Sequence, residues 1–141
     1  MMMFSARFYL LVSAISSLLS VLLGAFGAHG LKNVLDPGML ASYQTAVQYQ
    51  FLHSLGLLAL AILILTLAAK PEVINRLKWS ANLMIIGVLL FSGSLYTMTF
   101  MSVFAGFPAW LGPITPMGGL TLILAWALLA AAALKLPMKD K

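Results

Sequence analysis

Long apolar runs, separated by short polar or proline-rich breaks, set the pattern of this chain. Residues 8–28 give 21 positions without a charge, and residues 51–69 give 19 more. Between Lys78 and Lys135 lie 56 uncharged residues. A helix needs about 20 apolar residues to cross about 30 Å of hydrocarbon. That last run is therefore too long for one crossing and long enough for two. Its break is Gly106-Phe107-Pro108-Ala109-Trp110-Leu111-Gly112-Pro113-Ile114-Thr115-Pro116, where three prolines and two glycines cannot sustain a helix. The pattern predicts four transmembrane helices, over about 6–28, 43–69, 78–104 and 117–136.

The runs are continuous rather than alternating, and open strands leave backbone groups unpaired in lipid, so a β-barrel is rejected. The expected fold is all-α: one antiparallel four-helix membrane bundle spanning residues 1–141. Arg7 and the small-residue stretch 24–30 resemble a secretory signal. The apolar run is longer than the roughly 7–15 residues of a signal core, so a retained first helix is expected.

Composition agrees with this reading. Hydrophobic residues make up 62% of the 141 and charged residues 8%, against about 45–50% and about 25% in soluble domains. An ordinary soluble domain is excluded. Cysteine is absent, which excludes disulfides, zinc–thiolate sites and iron–sulfur clusters. The net charge of +5 is a topology signal rather than a nucleic-acid surface. Arg7, Lys70, Arg76, Lys78, Lys135, Lys139 and Lys141 fall on one side of the bundle and only Lys32 on the other. Lysine and arginine concentrate in cytoplasmic loops, so both termini and the loop before Lys78 are expected in the cytoplasm. A competing use of Lys70, Arg76 and Lys78 is an anionic-lipid site, although such sites usually need four or more cations.

Depth then sorts the polar residues, at about 1.5 Å per helical residue. His29 lies about 33 Å from the boundary at Arg7, and His53 about 25 Å from Lys70. The stretch Ser92-Gly93-Ser94-Leu95-Tyr96 lies about 21–27 Å from Lys78. Thr115-Pro116-Met117-Gly118-Gly119 opens the fourth helix at the same side, with Thr115 as the expected cap. All four segments belong to the outer leaflet or beyond it, while the inner halves read as nearly pure Leu, Ile, Val and Ala. The first third of the second helix, Tyr43-Gln44-Thr45-Ala46-Val47-Gln48-Tyr49-Gln50, is polar around its circumference, so it projects beyond the bilayer or is surrounded by other helices. Tyr49–His53 and Gln50–Ser54 are i,i+4 pairs that can share an interior face. The loops over 30–41 and 105–116 are expected to fold over this cluster.

Small residues mark packing faces. Ser16, Ser20, Gly24 and Ala28 recur every four residues, with Gly27 and Gly30 nearby. Ser80, Gly87 and Ser94 recur at sevens in the third helix. Such spacing lets backbones approach closely in lipid, so these two faces are expected to meet. A homo-oligomer contact is the competing use. Tyr9 and Trp79 suit the inner interface and Trp110 the outer one, while Trp126, at mid-bilayer, is expected to pack within the bundle.

The chemistry available is narrow. The three acids, Asp36, Glu72 and Asp140, lie in loops or the tail. A coupled transporter needs charge bound and released at membrane depth, so a cation antiporter is disfavoured. Ser92 and Ser94 lack an acid–base set, and no catalytic residue is expected. The glycines at 24, 27 and 30 follow no strand and precede no Gly-Lys pair, so they are not a phosphate loop. His29 and His53 are open to three readings: structural hydrogen bonding, lining of a ligand pocket, or metal or haem ligation. The last is the poorest, because no carboxylate or thiol accompanies them; no metal and no cofactor are expected.

The segments Leu23-Gly24-Ala25-Phe26-Gly27-Ala28-His29-Gly30, Tyr49-Gln50 with His53, 90–96, and 115–119 followed by Trp126 resemble, in order along the whole chain, a family of small uncharacterised membrane proteins. It includes transmembrane protein 256 and bacterial inner-membrane relatives, grouped as a domain of unknown function. The resemblance implies four helices and, in bacteria, a plasma-membrane location, and brings no established activity. Members can carry a carboxylate where Gln48 stands and a Gly where Ala125 stands, so a role needing an acid at Gln48 is absent here.

The sequence thus points to a non-enzymatic integral membrane protein. Its outer cluster of Tyr49, Gln50, His53, Ser92, Ser94 and Tyr96, with His29 nearby, is expected to bind a small polar ligand or lipid headgroup. Membrane lipids, a second copy, or a larger membrane complex that it serves as an accessory subunit or assembly factor are the partners to consider. A transporter or channel would need a continuous polar path through the oily inner halves.

Overall fold

Capping residues place the helix starts. In the computed structural model, which describes residues 5–67, 69–104, 106 and 108–136, Ser5 Oγ accepts from the Phe8 N–H at 3.4 Å and opens α1, Ala6–Phe26. Asp36 Oδ1 accepts from the Gly38 and Met39 N–H groups at 2.9 and 3.0 Å, and Pro37 occupies the first turn of α2, Pro37–Thr66. Proline is pre-set for that position and has no N–H to leave orphaned. Pro71 holds the same first-turn position in α3, Pro71–Ser102, though Lys70 before it makes no side-chain cap. Pro113 precedes α4, Ile114–Ala133. A five-residue π-helical turn, Gly27–Leu31, prolongs α1, and a short 3₁₀ turn, Ala109–Leu111, precedes α4.

All four helices are long and apolar enough to cross a membrane, with mean hydropathy of 1.8 to 2.1 over their best windows. Among the described residues there is no strand. The protein is an all-α, multi-pass membrane protein. α2 and α3, at 30 and 32 residues, measure about 45 and 48 Å. Both exceed about 30 Å of hydrocarbon, so they tilt or extend past it. Both also begin earlier than the sequence predicts, at 37 rather than 43 and at 71 rather than 78. α4 begins at 114 rather than 117, which puts Thr115 inside the helix and leaves it no capping role.

Successive helices pack on one another: α1 on α2, α2 on α3 and α3 on α4. The apolar core, with Leu57, Leu60, Leu77, Met84, Leu122 and Ala125 buried in it, occupies the half of the bundle nearer the termini. There α3 and α4 are also joined by charge. Glu72 pairs with Arg76 at 3.0 Å and with Lys135 at 2.5 Å. Arg76 is therefore already engaged by a carboxylate, which weakens the idea of an anionic-lipid site built on it. Lys139 and Lys141 lie outside the described residues.

The small-residue faces do not meet as expected. The α3 face turns to α4: Ser80 Oγ donates to the Ala125 carbonyl at 2.7 Å, and a Cβ at Gly87 would press on Leu122. Gly118 of α4 lies against the Phe91 backbone so closely that no Cβ fits between them. The α1 face turns to α2 instead. Gly24 sits over Val47, Gly27 over the Tyr43 ring, and Ser20 is buried, while Ala28 is exposed. A stripe of small residues states that something approaches closely; it does not say which helix.

The terminal half is also less uniformly aliphatic than the sequence reading holds. Tyr9 is fully buried and donates to Asn82 Oδ1 at 2.9 Å, so it is no interfacial anchor. This contact ties α1 directly to α3 near the termini. Trp79 and Trp110 are exposed, whereas Trp126 is 45% exposed and meets the bundle at His53 and Gly56 rather than packing fully within it.

Candidate functional site

Beyond the Tyr9–Asn82 contact, α1 and α3 part and leave a lateral cleft floored by α2. Its volume is about 420 Å³, within the range of about 300–1,000 Å³ typical of ligand sites. Val12, Ile15 and Leu19 of α1 form one wall, and Ile85, Val88 and Leu89 of α3 the other. Gln50, His53 and Ser54 rise from α2, and Tyr96 closes the far end. The Tyr96 ring meets the Tyr43 ring edge-on at 5.3 Å. On the other side of that pair a smaller cavity of about 240 Å³ is lined by Leu23, Leu31, Leu35, Tyr43, Tyr96 and Thr99. The 30–41 segment therefore does cover part of this region, through Leu31 and Leu35.

Periodicity explains why these α2 side chains act together. Gln50, His53, Ser54 and Leu57 follow i, i+3, i+4, i+7 spacing and share one helix face. Gln44 and Gln48 fall on the opposite, exposed face. The polar circumference of 43–50 thus divides into an inward half and an outward half.

Gln50 is buried and used at both ends. Its Nε2 donates to the Ser16 carbonyl of α1 at 3.1 Å, and its Oε1 accepts from Tyr96 Oη of α3 at 2.8 Å. Ser54 Oγ lies 2.7 Å from the Gln50 carbonyl and 2.6 Å from Ser16 Oγ. The Ser54 carbonyl accepts from Ser13 Oγ at 3.0 Å. Ser92 Oγ donates to the Ala46 carbonyl at 2.9 Å, joining α3 to α2. These bonds satisfy groups that would be costly to leave bare at membrane depth.

His53 is different. Its Nδ1 lies 2.7 Å from the Tyr49 carbonyl, which can only accept, so Nδ1 carries the hydrogen. The ring stacks on Tyr49 at 5.5 Å and meets Trp126 edge-on at 6.2 Å. Tyr49 stacks in turn on Phe91 of α3 at 4.4 Å. His53 is 8% exposed and lines the cleft. Among the described residues no hydrogen bond reaches its Nε2. That nitrogen is also not one of the sealed unpaired atoms, which are Asn82 Nδ2 and Thr99 Oγ1. Nε2 therefore keeps some accessible surface.

Of the seven candidate ligand residues, Gln50, His53, Ser92 and Tyr96 line this cleft. Tyr49 stands behind His53 and is partly exposed. Ser94 faces α4, where its hydroxyl lies 2.7 Å from Thr115 Oγ1. His29 does not join them: it is exposed on the π-helical turn and lines none of the cavities described here. Two α1 serines bonded to the α2 floor, Ser13 and the cleft-lining Ser16, have no such role in the sequence pattern, where Ser16 counts only as a small packing residue. The Ser13, Ser16 and Ser54 hydroxyls, not merely their size, join α1 to α2, while Ser20 Oγ donates back to the Ser16 carbonyl within α1.

Comparison with known proteins places this architecture. The profile of a family described as "Protein of unknown function (DUF423)" matches residues 23–119. The UPF0382 membrane protein YwdK of Bacillus subtilis is 39% identical over 129 residues, which cover 92% of this chain and 98% of that protein. The UPF0382 membrane protein C1782.12c of Schizosaccharomyces pombe is 39% identical over 117 residues, covering 82% and 92%. The UPF0382 inner membrane protein YgdD of Escherichia coli is 34% identical over 135 residues, covering 96% and 95%. No solved structure matches the chain.

Proposed function

The chain belongs to the DUF423 family of membrane proteins, and from that premise we propose that it is a non-enzymatic protein of the plasma membrane, the inner membrane in a bacterium, that binds a single amphiphilic molecule in the cleft between α1 and α3. The observation that carries this is the contrast inside the cleft. Its walls are aliphatic, while its floor bears Gln50, His53 and Ser54 with Tyr96 at one end. A freely soluble polar solute would leave those walls unmatched. An amphiphile lays an apolar body along Val12, Leu19 and Val88 and sets its polar end on the α2 floor.

The positive-inside pattern orients the molecule with both termini and the α2–α3 turn in the cytoplasm. The polar floor then lies in the outer-leaflet half, and entry is sideways from lipid between α1 and α3. The described carboxylates serve elsewhere: Asp36 caps α2, and Glu72 ties α3 to α4. Neither faces the cleft to act as a general acid or base. The aliphatic core of the terminal half, with Leu57, Leu60 and Met84 buried in it, opposes a conducting path. Docking as an accessory subunit has weaker support, because the exposed aliphatic residues of α1, such as Leu18 and Val21, are equally suited to bulk lipid.

Gly93 supplies the test. It lines the cleft, and a Cβ there meets nothing within 4 Å. Gly93→Leu should fold, gaining about 0.5–1 kcal/mol of helix propensity, while filling the cleft. Native mass spectrometry of the wild type from mild detergent should show one bound lipid-like mass, absent from Gly93→Leu. A wild type that retains none, and whose melting temperature a total lipid extract does not move, overturns the proposal. A stoichiometric foreign membrane subunit in the same spectrum would instead favour the accessory role.

A further inference from the structure

The seam between α1 and α3 holds two cavities in line. The cleft of about 420 Å³ and the smaller cavity of about 240 Å³ share two lining residues, Leu23 of α1 and Tyr96 of α3. We infer that Tyr96, with Leu23 on the α1 side, is the stop that sets the length of the apolar body the cleft accepts. This rests on the reading that the cleft holds an amphiphile and goes on to name what selects among amphiphiles.

The cleft is bounded at both ends. Towards the termini it ends at the Tyr9–Asn82 bond of 2.9 Å. At the other end stands Tyr96, whose side chain is fixed twice. Its hydroxyl donates to Gln50 Oε1 at 2.8 Å, and its ring meets the Tyr43 ring edge-on at 5.3 Å. Tyr43 is tethered in turn, its hydroxyl donating to the Leu23 carbonyl at 2.8 Å. The tyrosine pair thus ties α1, α2 and α3 together at one level and forms a partition there.

Between the two stops, Val12 to Leu23 is 11 residues of α1 and Met84 to Tyr96 is 12 residues of α3. At 1.5 Å per residue the cleft is about 17 Å long. An extended chain of single bonds advances about 1.2 Å per bond, as the protein backbone does, so the cleft takes about 14 bonds. Beyond Tyr96 the seam continues past Thr99 and Phe100, with Leu31 and Leu35 in the same wall. Phe100 lies 16 residues from Met84, so the two cavities joined would measure about 24 Å and hold about 20 bonds. The Thr99 hydroxyl oxygen is sealed, and both tyrosine hydroxyls turn to the acceptors named above. The smaller cavity therefore offers hydrocarbon and ring surface, which suits a chain and not a headgroup.

An equimolar series of straight-chain primary alcohols tests this, offered to the detergent-solubilised protein with native mass spectrometry reading which lengths are retained. On wild type, retention should stop rising at about 14 carbons. Tyr96→Ala removes the partition and should move that limit up by about 6 carbons. Tyr96→Phe keeps the ring against Tyr43 and should keep the wild-type limit, which separates the stop from the hydroxyl. Leu23→Ala opens the partition from α1 and breaks no side-chain hydrogen bond. It should shift the limit in the same direction, and it decides the matter if Tyr96→Ala does not fold. A tyrosine that only stabilises the bundle would lower retention of every length alike. An unshifted length profile in the opened variants, or a wild type that already favours the longest chains, overturns the inference although the cleft still binds amphiphiles. If no alcohol of any length binds, the cleft reading fails and takes this inference with it.

Discussion

Tyr96 Oη donates to Gln50 Oε1 across 2.8 Å, and the other end of the same amide is held by the Ser16 carbonyl at 3.1 Å. One side chain of α2 thus bridges α1 and α3 where those helices have parted to form the cleft.

Tyr96→Phe removes one bond and leaves a buried amide oxygen unpaired. A net hydrogen bond in proteins is worth about 0.5–1.5 kcal/mol, and inter-helical bonds in membranes average about 0.6 kcal/mol. The expected loss is therefore about 1 kcal/mol. Gln50→Leu breaks both ends, strands the Tyr96 hydroxyl, and should cost about 1–3 kcal/mol. Unfolding in mixed dodecylsulfate micelles followed by circular dichroism measures both. Equal, negligible losses would mean that the bridge contributes nothing to holding α1, α2 and α3 together.

Two glycines 25 positions apart in sequence should respond oppositely to one methyl group. At Gly118 an added Cβ would collide with the Phe91 backbone, which has no rotamer with which to give way. Gly118→Ala should force α3 and α4 apart, at about 1–3 kcal/mol. At Gly93 the added Cβ enters open space, so Gly93→Ala should be neutral or stabilising by up to about 1 kcal/mol. The same unfolding assay checks the pair. A tolerated Gly118→Ala would show that the α3–α4 crossing is looser than described.

These residues also show where sequence reasoning reached its limit. The four crossings were legible because each needs only an uncharged run of sufficient length, and Tyr49–His53 was legible because i,i+4 neighbours lie on one helix. The start of α2 was misplaced because polarity at 43–50 read as a boundary, whereas the chain marks the true start with Asp36-Pro37. The Gln50–Tyr96 bond spans 46 positions and joins two helices, and no local spacing encodes it. Ser16 looked like a small packing residue because spacing records size and is blind to where a hydroxyl points. His29 shared a depth with His53, but depth is one coordinate of three.

Tyr9 and Asn82 form the other buried polar link between α1 and α3. Tyr9 Oη donates to Asn82 Oδ1 at 2.9 Å, while Asn82 Nδ2 has no partner among the described residues. A buried amide half-satisfied in this way loses much of its benefit. Asn82→Leu alone leaves the Tyr9 hydroxyl with only weaker contacts such as the Lys78 carbonyl at 3.4 Å and should cost about 1 kcal/mol, whereas Tyr9→Phe with Asn82→Leu should cost less than the sum of the two single changes. A double variant as unstable as the sum of the two singles would show that the pair is not coupled.

Orientation decides which leaflet supplies the cleft, and the absence of cysteine from the chain makes it measurable. Lys32 lies in the exposed turn after α1, and Lys70 in the exposed turn before α3, at opposite ends of the bundle. By the sequence pattern, seven of the eight cations are expected on the Lys70 side, and such a bias retains that side in the cytoplasm. A membrane-impermeant maleimide applied to intact bacterial spheroplasts should label Lys32→Cys at once and Lys70→Cys only after permeabilisation. Moving one cation in each variant leaves the count lopsided, seven to none or six to one, so neither substitution should invert the protein. The reverse labelling would turn the bundle over and place Gln50 and His53 in the inner-leaflet half, where an amphiphile would have to arrive from the cytoplasmic side of the bilayer.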